Sequence, residues 1–220
     1  MNRTIDTTSS PGATIETSRP SVSAPTTGAT VPYPARWEGR AFGAIVLAAF
    51  LLYGVGSTIA DRPVGLALVL ANSFAVACAG LIGFRLVRSA DRGVGVGYLG
   101  SRGAEAICLA GGILLAEPGD VGGAADVGYL LGMLVLSIGS IPFFMTLRRR
   151  RLVPPLLAMW GVCGYGALAV GAAVELATGR SVAVVFAVPG GLFELALGCY
   201  LLRHGVRRAT APDRLRQAGA

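Results

Sequence analysis

The chain has 220 residues, 53% of them hydrophobic and 14% charged, with a formal net charge of +7. A mean hydropathy of +0.63 excludes an ordinary soluble domain and reads as a membrane-embedded chain. The positive sum alone would suit a nucleic-acid partner, but its distribution along the chain excludes that reading, as set out below.

Residues 1–35 are rich in Ser, Thr, Pro, Gly and Ala with almost no large apolar side chains. Such a segment buries too little surface to offset chain entropy, so it is expected to be a disordered tail. No apolar stretch follows Met1, which argues against a secretory signal. Six apolar runs come next: Ala41 to Ala60, Pro63 to Phe84, Gly93 to Ala116, Val127 to Leu147, Leu152 to Val174 and Ser181 to Leu202. Each is about long enough to cross a hydrocarbon core as a helix. Asp61-Arg62-Pro63 punctuates a tight hairpin between the first two, and Glu117 to Asp126 forms the longest connection. The cluster Arg148 to Arg151 ahead of Pro154-Pro155 forms a short one. A short polar tail, residues 209–220, closes the chain. The expected fold is all-α, a polytopic transmembrane bundle of six helices over residues 36–208. Gly161, Gly164 and Gly171 in the fifth run predict close helix approach within it.

The arginines alternate with these runs. Arg36 and Arg40 precede the first; Arg85, Arg88 and Arg92 follow the second, Arg148 to Arg151 the fourth, and Arg203, Arg207 and Arg208 the sixth. The intervening connections hold only Arg62 and Arg180, against Asp61, Glu117, Asp120, Asp126 and Glu175. Arginine beside a span resists translocation, so this pattern predicts six crossings with both termini cytoplasmic. The basicity is then a topology signal that also suits anionic lipid head groups on the cytoplasmic side, and no nucleic acid is expected. Protein partners are not specified by the sequence, and self-association is left open.

Cys78, Cys108, Cys163 and Cys199 lie in four different runs with no C-x-x-C spacing. Counted from the arginine-marked ends they fall at scattered depths, so small-residue packing is the better reading than a metal site. Neither a metal nor a cofactor is expected. Gly95-Val96-Gly97-Tyr98-Leu99-Gly100 matches the G-x-G-x-x-G dinucleotide fingerprint, but no strand precedes it and it opens a span, where such glycines serve helix packing. His204, the only histidine, and Trp37 read as interfacial residues. Ser137, Ser140 and Pro142 read as packing and kink residues, since no base is available to make a nucleophile.

The charges inside the runs are the exceptions that carry information. Arg102 and Glu105 share one face of the third run at i, i+3 spacing, and Glu194 lies within the sixth. Counting about 1.5 Å per residue from Arg92 and Arg203 puts Arg102 and Glu194 near the middle of a core about 30 Å thick. An unpaired charge there costs at least a few kcal/mol, so contact between Arg102 and Glu194, with Glu105 nearby, is expected. By the same counting Tyr53, Asn72 and Tyr165 come about level with Glu105 and are candidates to extend this buried polar network. Two roles compete for it. A structural clamp is favoured, because one Arg against two Glu is satisfied internally; a proton, ion or polar-ligand site is the alternative. Pro189-Gly190-Gly191 just before Glu194 predicts a kink or break in the sixth span.

The order of these features resembles a bacterial family of multi-span proteins known as domain of unknown function 4386. The likeness covers about Arg40 to Arg208. It rests on Arg102-Gly103-Ala104-Glu105, on a basic connection leading to Val153-Pro154, on Gly161 and Gly164-Tyr165, and on Glu194 followed by Tyr200-Leu201-Leu202 and Gly205. The chain departs from the pattern at Pro155, where the family tends to have an aromatic, and at Tyr200, where it tends to have Trp. The resemblance implies a six-helix bundle and points at Arg102, Glu105 and Glu194, but it brings no reaction. A bacterial plasma-membrane protein is therefore expected, a structural or sensory module before a proton-coupled or small-solute carrier that would use Glu194 and Arg102. An intramembrane enzyme comes third, with no catalytic residue to assign.

Overall fold

The computed structural model of the protein describes residues 36–116 and 123–206. The expected tails, residues 1–35 and 209–220, and the connection at residues 117–122 lie outside the described residues. The chain divides into two compact units, residues 1–30 and 31–220, and all described residues belong to the second.

Six helices follow in order: α1 (Arg36–Thr58), α2 (Pro63–Val87), α3 (Arg92–Leu115), α4 (Ala124–Arg149), α5 (Pro155–Thr178) and α6 (Ala183–His204), with no strand among the described residues. Pro63 and Pro155 each stand at a first helical position, where a missing N–H costs nothing. The fifth helix therefore begins at Pro155 and not at Leu152 as the apolar run implied, because Pro154 adopts an extended cap (ψ 136°) and holds the chain out of the helix until the next residue. Asp91 caps α3 by accepting from the Val94 amide at 3.0 Å. The N-terminus of α6 is capped from another helix: Glu175 Oε2 of α5 accepts from the Val182 and Ala183 amides at 2.9 and 2.7 Å. Gly179 sets up that contact by ending α5 in the left-handed region (φ 67°).

Five of the helices, α1, α2, α4, α5 and α6, are long and apolar enough to cross a membrane. The sixth, α3, has comparable length at 24 residues but is glycine-rich and carries Arg102 and Glu105, which lowers its hydropathy. It packs between α2 and α4. Consecutive helices are neighbours throughout and α6 returns to α1, so the bundle is a closed ring in which α3 and α6 stand opposite each other.

The ring closes on glycine. A Cβ on Gly43 of α1 would lie 2.7 Å from the Gly198 carbonyl of α6, and one on Gly198 would lie 2.6 Å from Leu47. Only the missing side chains let these two helices touch along their arginine-bearing halves. The core of that half is aromatic. Tyr98 stacks on Phe143 with ring centroids 3.9 Å apart, and Phe144 meets Tyr165 at 5.5 Å and Phe193 edge-on at 4.9 Å. Phe42, Tyr98, Phe143, Phe144 and Phe193 are fully or almost fully buried. They form a floor across the bundle.

Pro189 does not break α6, which runs unbroken from Ala183 to His204. Its carbonyl accepts from Trp160 Nε1 of α5 at 3.1 Å, which ties α6 to its neighbour beside the proline; the carbonyl freed by the missing proline N–H is that of Val185, one turn earlier. Gly161 fits beneath the Phe193 ring as close helix approach requires.

Candidate functional site

Above the aromatic floor a cavity of about 430 Å³ occupies the middle of the ring and takes residues from all six helices. Tyr53, Asn72, Arg102, Glu105, Tyr165 and Glu194 all line it. The six residues that depth counting grouped therefore share one space.

Arg102 is the hub. Its Nη1 donates to Glu105 Oε2 at 2.9 Å, one turn along α3, and its Nη2 stands 3.7 Å from Glu194 Oε1 of α6. Its Nε donates to the hydroxyl of Tyr98 at 2.9 Å, so the guanidinium meets partners on three of its edges. The Arg102 and Glu105 side chains are 6% and 4% exposed, whereas Glu194 is 22% exposed, which makes Glu194 the member that faces the open space. The Tyr165 hydroxyl of α5 donates to Glu194 Oε1 as well. The Tyr165 hydrogen bond and the Arg102 ion pair thus both fall on Oε1, and no described residue hydrogen-bonds the other carboxylate oxygen.

The backbone of α2 makes room for this hub. A Cβ on Gly80 would come within 2.7 Å of the Arg102 Cβ, and the Tyr98 ring lies over Gly83. Gly95 to Gly100 are helical throughout, so the G-x-G-x-x-G match forms no phosphate loop; Gly95 packs against Phe84 of α2, while Gly97 and Gly100 have open space beside them and do not serve the helix packing expected of them. Tyr98 itself, inside that match, is the site residue that sequence reading missed. Its position four residues before Arg102 on a helix was the available signal.

Asn72 and Tyr53 are placed in the cavity but not in the hydrogen-bonded hub. Asn72 is 3% exposed, and no described residue hydrogen-bonds its side chain. Tyr53 stacks on Tyr129 of α4 with centroids 5.5 Å apart, and both rings line the cavity farther from the floor.

Residues 123–205 match the family model described as Domain of unknown function (DUF4386). This is the family that the sequence resembles. The DUF4386 match takes in α4, α5 and α6, and with them Tyr165 and Glu194; α3, with Arg102 and Glu105, lies before it. The carboxylate and tyrosine half of the site therefore belongs to the DUF4386 segment, while the arginine half rests on the geometry of this chain. No curated protein and no solved structure matches the chain.

Elsewhere, Ser137 Oγ donates to the Met133 carbonyl at 2.7 Å, and Ser140 Oγ is buried without a partner among the described residues. His204 stacks on Tyr200 at 4.8 Å at the end of α6. The four cysteines are free thiols, and no group of three or more His, Cys, Asp or Glu among the described residues is arranged to hold a metal.

Proposed function

We propose that this multi-pass membrane protein binds a small molecule in the cavity at the centre of its helix ring, as a sensory module or a carrier. The observation that carries this reading is the half-used polar end of the cavity. Glu194 offers one unpartnered carboxylate oxygen and Asn72 an unpartnered amide into a space that side chains do not fill. A network kept only to hold helices together would be expected to spend its buried hydrogen-bonding groups on each other, because an unsatisfied polar group at membrane depth costs several kcal/mol. The lining otherwise is apolar and aromatic, the usual make-up of a small-molecule site. In this reading the arginine-bearing ends face the cytoplasm of a bacterial plasma membrane, with anionic lipid around them.

A clamp function is favoured beside it by one contact. Arg102 reaches Glu194 across the ring and links two helices that are not neighbours. The two roles coexist in one group of residues.

Accessibility decides the binding reading. In a chain whose four native cysteines are replaced by Ala, Asn72→Cys should react with a small methanethiosulfonate reagent in proteoliposomes, while Ser140→Cys, buried away from the cavity, should not. Equal inertness of the two would mean a closed core, and the binding reading would fall.

A further inference from the structure

Resting on that reading, we propose that the ligand is a lipophilic organic monocation that reaches Glu194 from within the bilayer through the seam between α1 and α6.

The charge follows from the site's own balance. Arg102 brings one positive charge, Glu105 and Glu194 two negative ones. The arginine's short bond is to Glu105, and its contact with Glu194 is the longer one at 3.7 Å. One carboxylate is in excess, and it belongs to the residue most open to the cavity. Near mid-membrane that excess must be neutralised by a proton or by a cation of the ligand. An inorganic cation would need several oxygen ligands around it, and this space instead presents Val, Leu, Ala and Met side chains around one free carboxylate oxygen and one amide. Tyr53 of α1 and Tyr129 of α4, stacked on each other across the ring, add aromatic surface of the kind that attracts an organic cation.

The route follows from where the ring is loose. At the arginine-bearing half, Gly43 and Gly198 hold α1 and α6 in contact. In the other half Phe50 of α1 still lies beside Gly191 of α6, and beyond that contact the seam opens. Gly54 of α1 has no atom within 4 Å of the place its Cβ would take. Val184, Val188 and Leu192 of α6 line the cavity and are also 69%, 55% and 54% exposed, and Phe50 of α1 joins them at 39%. These side chains stand in the apolar zone of α6, so the outside that they meet is hydrocarbon. The cavity is thus open sideways to the lipid, and a molecule entering there must carry an apolar body.

The test uses a matched pair of ions, tetraphenylphosphonium and tetraphenylborate, which share shape and differ in sign. Radiolabelled tetraphenylphosphonium should bind the purified full-length chain saturably, tetramethylammonium should fail to displace it, and tetraphenylborate, assayed by itself because the two large ions pair in solution, should not bind. Glu194→Gln should weaken binding about tenfold or more, the scale for loss of a desolvated charge partner, with helicity and melting temperature close to the parent. Gly54→Trp, which adds bulk to the open seam and no charge, should slow binding at least severalfold. Tetraphenylborate binding as tightly would overturn the sign of the ligand, and tight binding of tetramethylammonium would overturn the apolar body. Unchanged kinetics in Gly54→Trp would overturn the lateral route, and undiminished affinity in Glu194→Gln would overturn the site. If no ion of the set binds while Asn72→Cys still reacts with the thiol reagent, the monocation is refuted and the cavity reading survives; if Asn72→Cys is inert too, both fall.

Discussion

Arg102 and Glu194 meet across the ring, from α3 and α6, with Nη2 3.7 Å from Oε1. The contact joins a deeply buried charge to the one most open to the cavity, and it supplies the first prediction. Arg102→Leu strands two carboxylates and is expected to lower stability by about 3 kcal/mol, the scale for breaking a buried pair from one side. Adding Glu194→Gln should restore part of that loss. Thermal unfolding in detergent, read by circular dichroism over the four members of the cycle, measures the coupling; strictly additive losses would remove the clamp.

Tyr98→Phe keeps the ring stacked on Phe143 and deletes only the hydroxyl that accepts from Arg102 Nε. The buried N–H left behind should cost about 1–2 kcal/mol. In an Arg102→Leu background the same change should cost almost nothing, since the donor is gone. A loss that persisted there would assign the hydroxyl a different job.

Gly80→Ala tests how tightly α2 and α3 meet. Alanine favours a helix over glycine by about 1 kcal/mol, yet the new Cβ would stand 2.7 Å from the Arg102 Cβ and should destabilise by about 1–3 kcal/mol as overpacking does. Gly97→Ala and Gly100→Ala, which have open space around the new atom, should be neutral or raise the melting temperature. A common response of all three would contradict the packing described for α2 and α3.

Glu175→Ala removes the carboxylate that accepts from the first amides of α6. Loss of such a cap should cost about 1 kcal/mol, with faster amide hydrogen exchange confined to the residues around Val182 and Ala183. Glu175→Gln, which retains one acceptor oxygen, should lose less.

Much of the site was legible because it is made of anomalies. A charge in an apolar run is costly wherever it sits, so Arg102, Glu105 and Glu194 stand out by type alone, and distance from the flanking arginines is enough to set Arg102 and Glu194 level. Tyr98 escaped because a tyrosine in a span is no anomaly; only its register with Arg102 distinguished it. The seam escaped for a deeper reason. Val184, Val188 and Leu192 are exposed on the outside of the ring and line the cavity at once, so composition cannot separate an exposed apolar wall from a lining. Pro189 predicts a kink or break in the sixth span from its chemistry within one chain segment; the break does not occur, and the helix continues with the Trp160 indole bound to the proline carbonyl from the next helix over.

The one-turn pairing of Arg102 with Glu105 bears on how the bundle is made. During synthesis α3 emerges before α6, so Glu194 cannot accompany Arg102 into the bilayer. Glu105 can, because it travels on the same helix and is bound at 2.9 Å. The third helix therefore carries its own counter-ion, and its arginine is paired before α6 exists. Glu194 arrives last, on the helix that seals the ring against α1, and the excess negative charge exists only once assembly is finished.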